Sequence, residues 1–156
     1  MGRRIPTPFS ISIDTEQGTV ELKIDSLLRT VPGKRLVALS TWENRTVIVK
    51  MFISKNRWKR GIAKDIAGIN RLKQAHIPSP DLLLQATTSD KKAGMLVIEY
   101  LRQVASLAAL FDEAESEEAR AELLEMGVKA VADCHRMGLW QKDIHLDNFM
   151  LSAGIV

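Results

Sequence analysis

The stretch Gln141-Lys142-Asp143-Ile144-His145-Leu146-Asp147-Asn148-Phe149-Met150-Leu151 decides how the rest of this 156-residue chain is interpreted. Asp143 is followed five residues later by Asn148, with apolar residues on both flanks. In a phosphoryl-transfer site, an aspartate can accept the proton of the attacking hydroxyl, and an asparagine can bind the Mg²⁺ that bridges the phosphates of ATP. The spacing alone is weak, because Asp, Asn and His also favour ordinary turns.

Two upstream residues strengthen this interpretation. Lys50 stands in the middle of the apolar run Thr46–Phe52, where an unpartnered ammonium would be costly to bury. At a cleft it could contact the α- and β-phosphates of a nucleotide, and Asp65 on the next predicted helix could pair with it. Each residue taken alone is more simply a solvated surface charge. Their joint placement upstream of Asp143 and Asn148 favours a phosphotransferase.

The first hundred residues read mainly as strands. Alternating apolar and polar residues predict a hairpin of residues 9–14 and 19–24, followed by a segment at 26–30 and a Pro32-Gly33 turn. Further β-rich runs are 35–39, 46–52, 81–88 and 95–101. A helix is predicted from residue 56 or 57 to about 75, with an apolar stripe of Ile62, Ile66, Ile69 and Leu72.

The remainder reads as helix until the catalytic-type loop. A short helix is predicted over 104–112. A longer one is capped by Ser116 and ends near Gly138, with an apolar face of Leu123, Leu124, Val128, Val131 and Ala132. The pattern predicts an α+β protein with a boundary near residue 101, which divides it into residues 1–101 and 102–156.

Composition sets broad limits. The chain has 22 Lys and Arg against 19 Asp and Glu, a net charge of +3 that suits an anionic ligand or an acidic membrane surface but also an ordinary protein surface. The single cysteine, Cys134, permits no intrachain disulfide, which favours a reducing compartment. We expect a cytoplasmic protein, with peripheral contact to the inner membrane face left open. Trp42, Trp58 and Trp140 are expected to be packing residues, and no nucleic-acid partner is expected.

These residues together resemble the protein-kinase-like fold, and most closely the bacterial lipopolysaccharide kinase family. The resemblance runs from about residue 26 to the end, through residues 28–37, the strand ending in Val49-Lys50, the helix leading into residues 75–80, and residues 139–149. It implies a strand-rich N-lobe followed by a partial helical C-lobe. It also implies ATP and Mg²⁺ as cofactors, and a sugar hydroxyl of the lipopolysaccharide core as acceptor.

The resemblance assigns roles residue by residue. Lys50 resembles the phosphate-binding lysine, and Asp65 stands where the family usually has Glu. Gly33 would lie in the phosphate-covering loop, while Glu99 and Leu101 would belong to the adenine-binding hinge. In the loop, Asp143 resembles the catalytic base and Asn148 the Mg²⁺ ligand. His145 takes the place of a lysine usual in protein kinases, which favours a small-molecule or glycolipid acceptor.

The sequence also departs from the family. The phosphate-covering loop has one clear glycine, Ile48 is bulkier than the residue usual in the adenine slot, and Gln141 replaces a histidine. The chain ends eight residues after Asn148, before a second metal-binding carboxylate, so we expect residues 1–156 alone to transfer little or no phosphate. Two alternatives stay open: a non-catalytic, pseudokinase-type module that binds a nucleotide or a protein, and a bacterial protein kinase.

Overall fold

The computed structural model describes residues 5–140 and 144–152 and has the predicted α+β character. The contacts divide the chain into two compact units. The first joins the residues up to Asn70 with Pro80–Tyr100, and the second joins Arg71–Ser79 with the residues from Leu101 onwards. In chain order the elements are β1 (Phe9–Thr15), β2 (Gly18–Val31), β3 (Arg35–Trp42), β4 (Arg45–Phe52), α1 (Trp58–Gln74), β5 (Leu82–Thr88), β6 (Gly94–Glu99), β7 (Ala105–Ser106), α2 (Leu107–Glu113), α3 (Glu117–Arg136), a 3₁₀ turn (Leu146–Asn148) and β8 (Met150–Leu151).

The first unit is a closed antiparallel barrel with the strand order β1-β2-β3-β4-β6-β5. The predicted N-terminal hairpin is present as β1 and β2, and β1 also pairs with β5 through Ile13↔Thr88 and Asp14↔Thr87. The segment predicted separately at 26–30 is part of β2, which continues to Val31 across two register shifts against β3. Such shifts bend a strand and increase its twist, which allows one long strand to pair with a different neighbour along each of its two halves.

Alternation along β4 separates two apolar clusters. Val47, Val49 and Met51 are buried inside the barrel, where they pack with residues such as Ile13, Leu22 and Met95. Ile48 and Phe52 face the opposite side of the sheet, in a second cluster that includes Leu96 and Ile98. Because neighbouring residues of a strand point to opposite faces, Lys50 belongs to the same face as Ile48 and Phe52.

Helix α1 covers this outer face. The predicted stripe is confirmed for Ile62, Ile66 and Ile69, which pack against the outer cluster together with Trp58. The helix ends in a left-handed cap, with His76 at φ +55° and the Ile77 amide bonded to the Leu72 carbonyl at 2.9 Å. This is the Schellman pattern, in which His76 takes the left-handed position that ends the helix.

The second unit is built on α2 and α3. Ser106 and Ser116 cap their N-termini, each accepting the amide of the residue three positions later at 3.1 Å. Helix α3 ends at Arg136, just before Gly138 at φ +71°. Its predicted apolar face is wrong in part: Leu124 and Val128 are 44% and 68% exposed, while Gly127 and Cys134 are buried. Fewer residues of α3 pack within the unit than the apolar pattern of its sequence predicts.

The three tryptophans lie in different environments. Trp42 packs on the barrel core and Trp58 on the outer cluster, as expected. Trp140 is 77% exposed and stacks on His135 with ring centroids 4.4 Å apart, so its prediction as a packing residue is wrong. None of the helices in residues 5–140 and 144–152 combines the length and the apolar character needed to cross a membrane.

Candidate functional site

The lysine at the centre of β4 is paired with the aspartate of α1. Lys50 Nζ lies 3.5 Å from Asp65 Oδ2, and their side chains are 34% and 23% exposed. The sequence folds this way because Lys50 is on the outer face of β4, which α1 covers, and Asp65 belongs to the same helix as the packed Ile62 and Ile66. Lys50 therefore keeps an ammonium accessible to solvent while a carboxylate limits its movement.

An apolar surface surrounds Lys50. In the antiparallel register Val37 lies opposite Lys50, and Leu39 lies opposite Ile48. Directly opposed residues share a face of the sheet, and all three of these apolar side chains are only partly buried. A flat base could stack on such a surface beside a cation that holds its phosphates. Val37 and Leu39 were not singled out from sequence, although the alternation in β3 could have identified them.

Gly33 lies in a short connection between β2 and β3. The Lys34 amide donates to the Val31 carbonyl at 3.0 Å, and Gly33 adopts φ +66°, a conformation that suits glycine. A Cβ at Gly33 would meet nothing within 4 Å, so the backbone here is open to a ligand. The loop spans only three residues between the strands, in agreement with its single glycine.

The predicted hinge begins at the end of the sheet. Strand β6 ends at Glu99, two residues earlier than predicted, and the Glu99 amide donates to the Asp81 carbonyl at 2.8 Å. The Glu99 carboxylate in turn accepts the Asp81 amide at 3.2 Å. The Glu99 N–H is therefore committed to the protein itself and is not a donor for adenine, whereas Leu101 lies beyond the strand.

The loop around Asn148 is anchored by its apolar residues. Phe149 is buried, its carbonyl accepts the Leu107 amide at 2.9 Å, and β8 pairs with β7. A Cβ on Gly127 would lie 3.3 Å from Leu146 and 3.4 Å from Leu107, so the glycine makes room for the loop against α3. These contacts fix the 3₁₀ turn that carries Asn148.

The described polar residues of this loop, His145, Asp147 and Asn148, are exposed. The Asn148 amide donates to the His145 carbonyl at 2.9 Å, and both residues lie at the surface. The side chain of Asn148 carries an amide oxygen, which is a hard ligand of the type that Mg²⁺ accepts alongside phosphate and water, so Asn148 fits a metal-binding role in its chemistry. Asp143, the predicted base, lies outside the described residues together with Gln141 and Lys142.

Comparison with known proteins shows which folds this architecture resembles. No family model and no curated protein matches the chain. Among solved structures, it resembles a mutant form of the kinase domain of Mycobacterium tuberculosis PknI, with a TM-score of 0.52 and 12% identity, over 86% of this chain and 56% of that one. It also resembles WaaP in complex with acyl carrier protein, with a TM-score of 0.49 and 17% identity, over 71% and 46%. The chain thus spans about half the length of the solved structures that it matches. The likeness to the PknI domain shows that the chain has a protein-kinase-like fold.

Proposed function

We propose that this chain is the nucleotide-binding part of an ATP-dependent phosphotransferase. The observation that carries the proposal is the Lys50–Asp65 ion pair on the outer face of the barrel, within a kinase-like fold. A partly exposed ammonium held by a carboxylate is the arrangement needed to neutralise the phosphates of a nucleotide. The partly exposed Val37, Leu39 and Ile48 would hold the base, and the open turn at Gly33 would lie over the phosphates.

In the proposed reaction, each residue of this chain has a limited task. Lys50 would hold the phosphates in place, Asp65 would orient Lys50, and Leu101 would offer its backbone to adenine. Asn148 would hold Mg²⁺, which supplies charge neutralisation to the phosphates when bound. Asp143 would accept the proton of the acceptor hydroxyl, so that the oxygen can bond to the terminal phosphorus of ATP while the bond from that phosphorus to the departing ADP breaks.

For the acceptor we propose a sugar hydroxyl of the lipopolysaccharide core or of a related glycolipid. The support is the sequence resemblance described above and the presence of His145, whose side chain is smaller and less strongly cationic than the lysine of protein kinases. Such an acceptor would bring the protein to the inner membrane face from the cytoplasm. Transfer itself is proposed for the whole protein, since the chain spans only part of the solved structures that it matches.

The binding step can be tested on the chain as it stands. ATP is titrated by calorimetry with and without Mg²⁺ into the unaltered chain, into Lys50→Met and into Lys64→Met. Lys64 is an exposed lysine of the same helix as Asp65 and serves as a control for lost charge. We expect Mg²⁺-dependent binding that Lys50→Met weakens about tenfold or more, which corresponds to about 1.4 kcal/mol, and that Lys64→Met leaves within about twofold.

Two results would count against the proposal. Absence of ATP binding, or an equal loss in both lysine variants, would remove Lys50 from a nucleotide site. Binding that ignores Mg²⁺ would favour the pseudokinase-type module. In the whole protein, transfer of ³²P from ATP to a peptide but not to lipopolysaccharide would favour a protein kinase.

A further inference from the structure

A second candidate binding surface lies at the end of the barrel next to the β2–β3 turn. An open pocket of about 510 Å³ is lined there by four cationic residues, Lys34, Arg35, Lys55 and Arg57, together with Phe52 and Ser54. Gly33 and Val31 complete its rim. Neither Lys50 nor Asp65 contributes to the lining, so the pocket does not include the ion pair already described, although it shares Gly33 with the proposed nucleotide site.

The four cationic residues of the pocket have no described acidic residue beside them to neutralise their charge. No acidic residue is among the described residues that line it. Among the described residues, none of the four cations forms an ion pair, whereas cations elsewhere in the barrel do so, such as Lys23 with Asp25 and Lys50 with Asp65. Four like charges around one concavity repel each other, and a bound anion would relieve this repulsion.

The start of α1 adds to the same effect. The helix begins at Trp58, directly after Arg57, and its first turn holds no acidic residue but does hold Lys59 and Arg60. Cations at the positive end of a helix oppose its dipole and destabilise the helix. This local arrangement does not favour helix stability, but it does favour attraction of an anion.

The pocket also offers directional contacts. Arg35 and Phe52 lie opposite each other in the β3–β4 register. The guanidinium groups of Arg35 and Arg57 can each donate two parallel hydrogen bonds to one phosphate, and Lys34, Lys55 and the Ser54 hydroxyl supply further donors. Phe52 is buried and contributes an apolar surface to the lining.

We propose that this pocket binds a ligand with clustered phosphate groups, separate from the ATP held at Lys50. The ligand chemistry is a phosphomonoester or pyrophosphate, which either a lipid headgroup or a soluble phosphorylated compound could present. The proposal does not depend on catalysis, because anion binding requires only the residues of the pocket. If the proposed phosphotransferase function holds, the pocket would give it a preference for acceptors or effectors that already carry phosphate.

The experiment uses the full 156-residue chain at about 0.15 M salt, where general surface attraction is screened beyond about 8 Å. Inorganic pyrophosphate is titrated by calorimetry, and flotation is measured with phosphatidylcholine vesicles that contain or lack phosphatidic acid. The variants are Lys55→Glu and Arg57→Glu in the pocket, Lys64→Glu as a control with the same charge change on α1, and Lys50→Met. All four positions carry partly or fully exposed side chains, and urea unfolding checks that each variant is folded.

We expect Lys55→Glu and Arg57→Glu each to weaken pyrophosphate binding about tenfold or more, with Lys64→Glu and Lys50→Met within about twofold of the unaltered chain. Pyrophosphate binding without vesicle flotation indicates a soluble ligand, and flotation that requires phosphatidic acid and is lost in the same variants indicates a lipid headgroup. In the unaltered chain, pyrophosphate should shift the amide resonances of Lys55 and Arg57, which line the pocket and have no role in the proposed nucleotide site. This tests the location independently of any variant.

Several outcomes would overturn the proposal: absence of binding to both probes, an equal loss in Lys64→Glu, or amide shifts elsewhere. If ATP displaces pyrophosphate, or if Lys50→Met weakens its binding as much as Arg57→Glu does, the pocket belongs to the nucleotide site and is not separate from it. Failure of ATP to bind while pyrophosphate does so would contradict the proposed function alone.

Discussion

At the scale of single residues, the Lys50–Asp65 pair is more informative about ligand placement than about stability. Both side chains are partly exposed, and ion pairs of this kind contribute about 0–1 kcal/mol to folding. Such a small contribution gives no strong structural reason to place an ammonium on an apolar sheet face beside Val37 and Ile48. Its placement is explained more readily if it has a ligand.

If the ion pair contributes little to stability but positions Lys50 for a ligand, replacing Asp65 should affect binding more than folding. We expect Asp65→Ala to lower the affinity for Mg²⁺-ATP by about three- to tenfold, since Lys50 loses the carboxylate that limits its movement, while the free energy of unfolding changes by less than about 1 kcal/mol. Calorimetry and urea unfolding measure the two quantities. Glu125→Ala, at an exposed position of α3, is the control. A large loss of stability without a loss of ATP affinity would assign the pair a structural role instead.

At the scale of elements, helix α1 depends on close approach to the sheet. A Cβ on Gly94 would lie 2.5 Å from both Ile62 Cδ1 and Trp58 Cζ3, and one on Gly61 would lie 2.8 Å from the ring of Phe52. Two glycines, one on β6 and one on α1, thus allow the helix to pack tightly over the face that carries Lys50. The position of Asp65 follows from this packing.

The packing predicts that replacing Gly94 and replacing Gly68 by alanine have opposite effects on the stability of the protein. Gly94→Ala should destabilise the protein by about 1–3 kcal/mol, because its methyl group would force Ile62 and Trp58 away. Gly68→Ala, on an open and exposed position of the same helix, should stabilise it by about 0.5–1 kcal/mol through helix propensity. Urea unfolding of both variants measures the difference. Equal effects of the two would mean that α1 does not pack closely on β6.

At the scale of the whole molecule, closure of the barrel joins residues that are far apart in sequence. Asp14 at the end of β1 accepts hydrogen bonds from Thr19 and from Ser89, at 2.8 and 2.9 Å, and pairs with Lys91. The Ser89 amide also donates to the Ser12 carbonyl at 3.0 Å. These contacts tie the N-terminal hairpin to the turn that follows β5.

The hydrogen bonds to the Asp14 carboxylate predict that the protein loses stability at acidic pH. The hydrogen bond from Lys91, then those from Thr19 and Ser89, lower the pKa of the Asp14 carboxyl from 3.8 to about 2. A carboxyl with a lowered pKa in the folded state stabilises the protein fully above its unfolded pKa, and this contribution is lost as the pH falls from about 4 to 2. Asp14→Asn should therefore lose stability near neutral pH and show a flatter decline over this range.

Urea midpoints measured between pH 7 and pH 2 test this expectation. Glu16→Gln, in the neighbouring turn, is the control and should follow the unaltered chain. An Asp14→Asn profile parallel to that of the unaltered chain would show that these bonds do not couple barrel closure to pH.

Much of the fold was accessible from the sequence because its signals are local. Alternating residues identified the strands, the spacing of Ile62, Ile66 and Ile69 identified the inner face of α1, and Ser116 and Gly138 marked the limits of α3. These patterns express backbone periodicity and capping chemistry, which depend on near neighbours. The catalytic-type spacing of Asp143 and Asn148 is also local, although Asp143 lies outside the described residues.

Other features depended on contacts across the chain. The pairing of β1 with β5, the exposure of Leu124 and Val128, and the use of the Glu99 amide by Asp81 each depend on a partner that no local pattern specifies. The sequence by itself determined the kinase-like order of elements and the presence of Lys50, Asp65 and Asn148 as candidate site residues. Only the tertiary structure brought Lys50 to Asp65 and gathered four cations around one pocket, because these placements arise from strand pairing and from the packing of α1 on the sheet, which join separate segments of the chain.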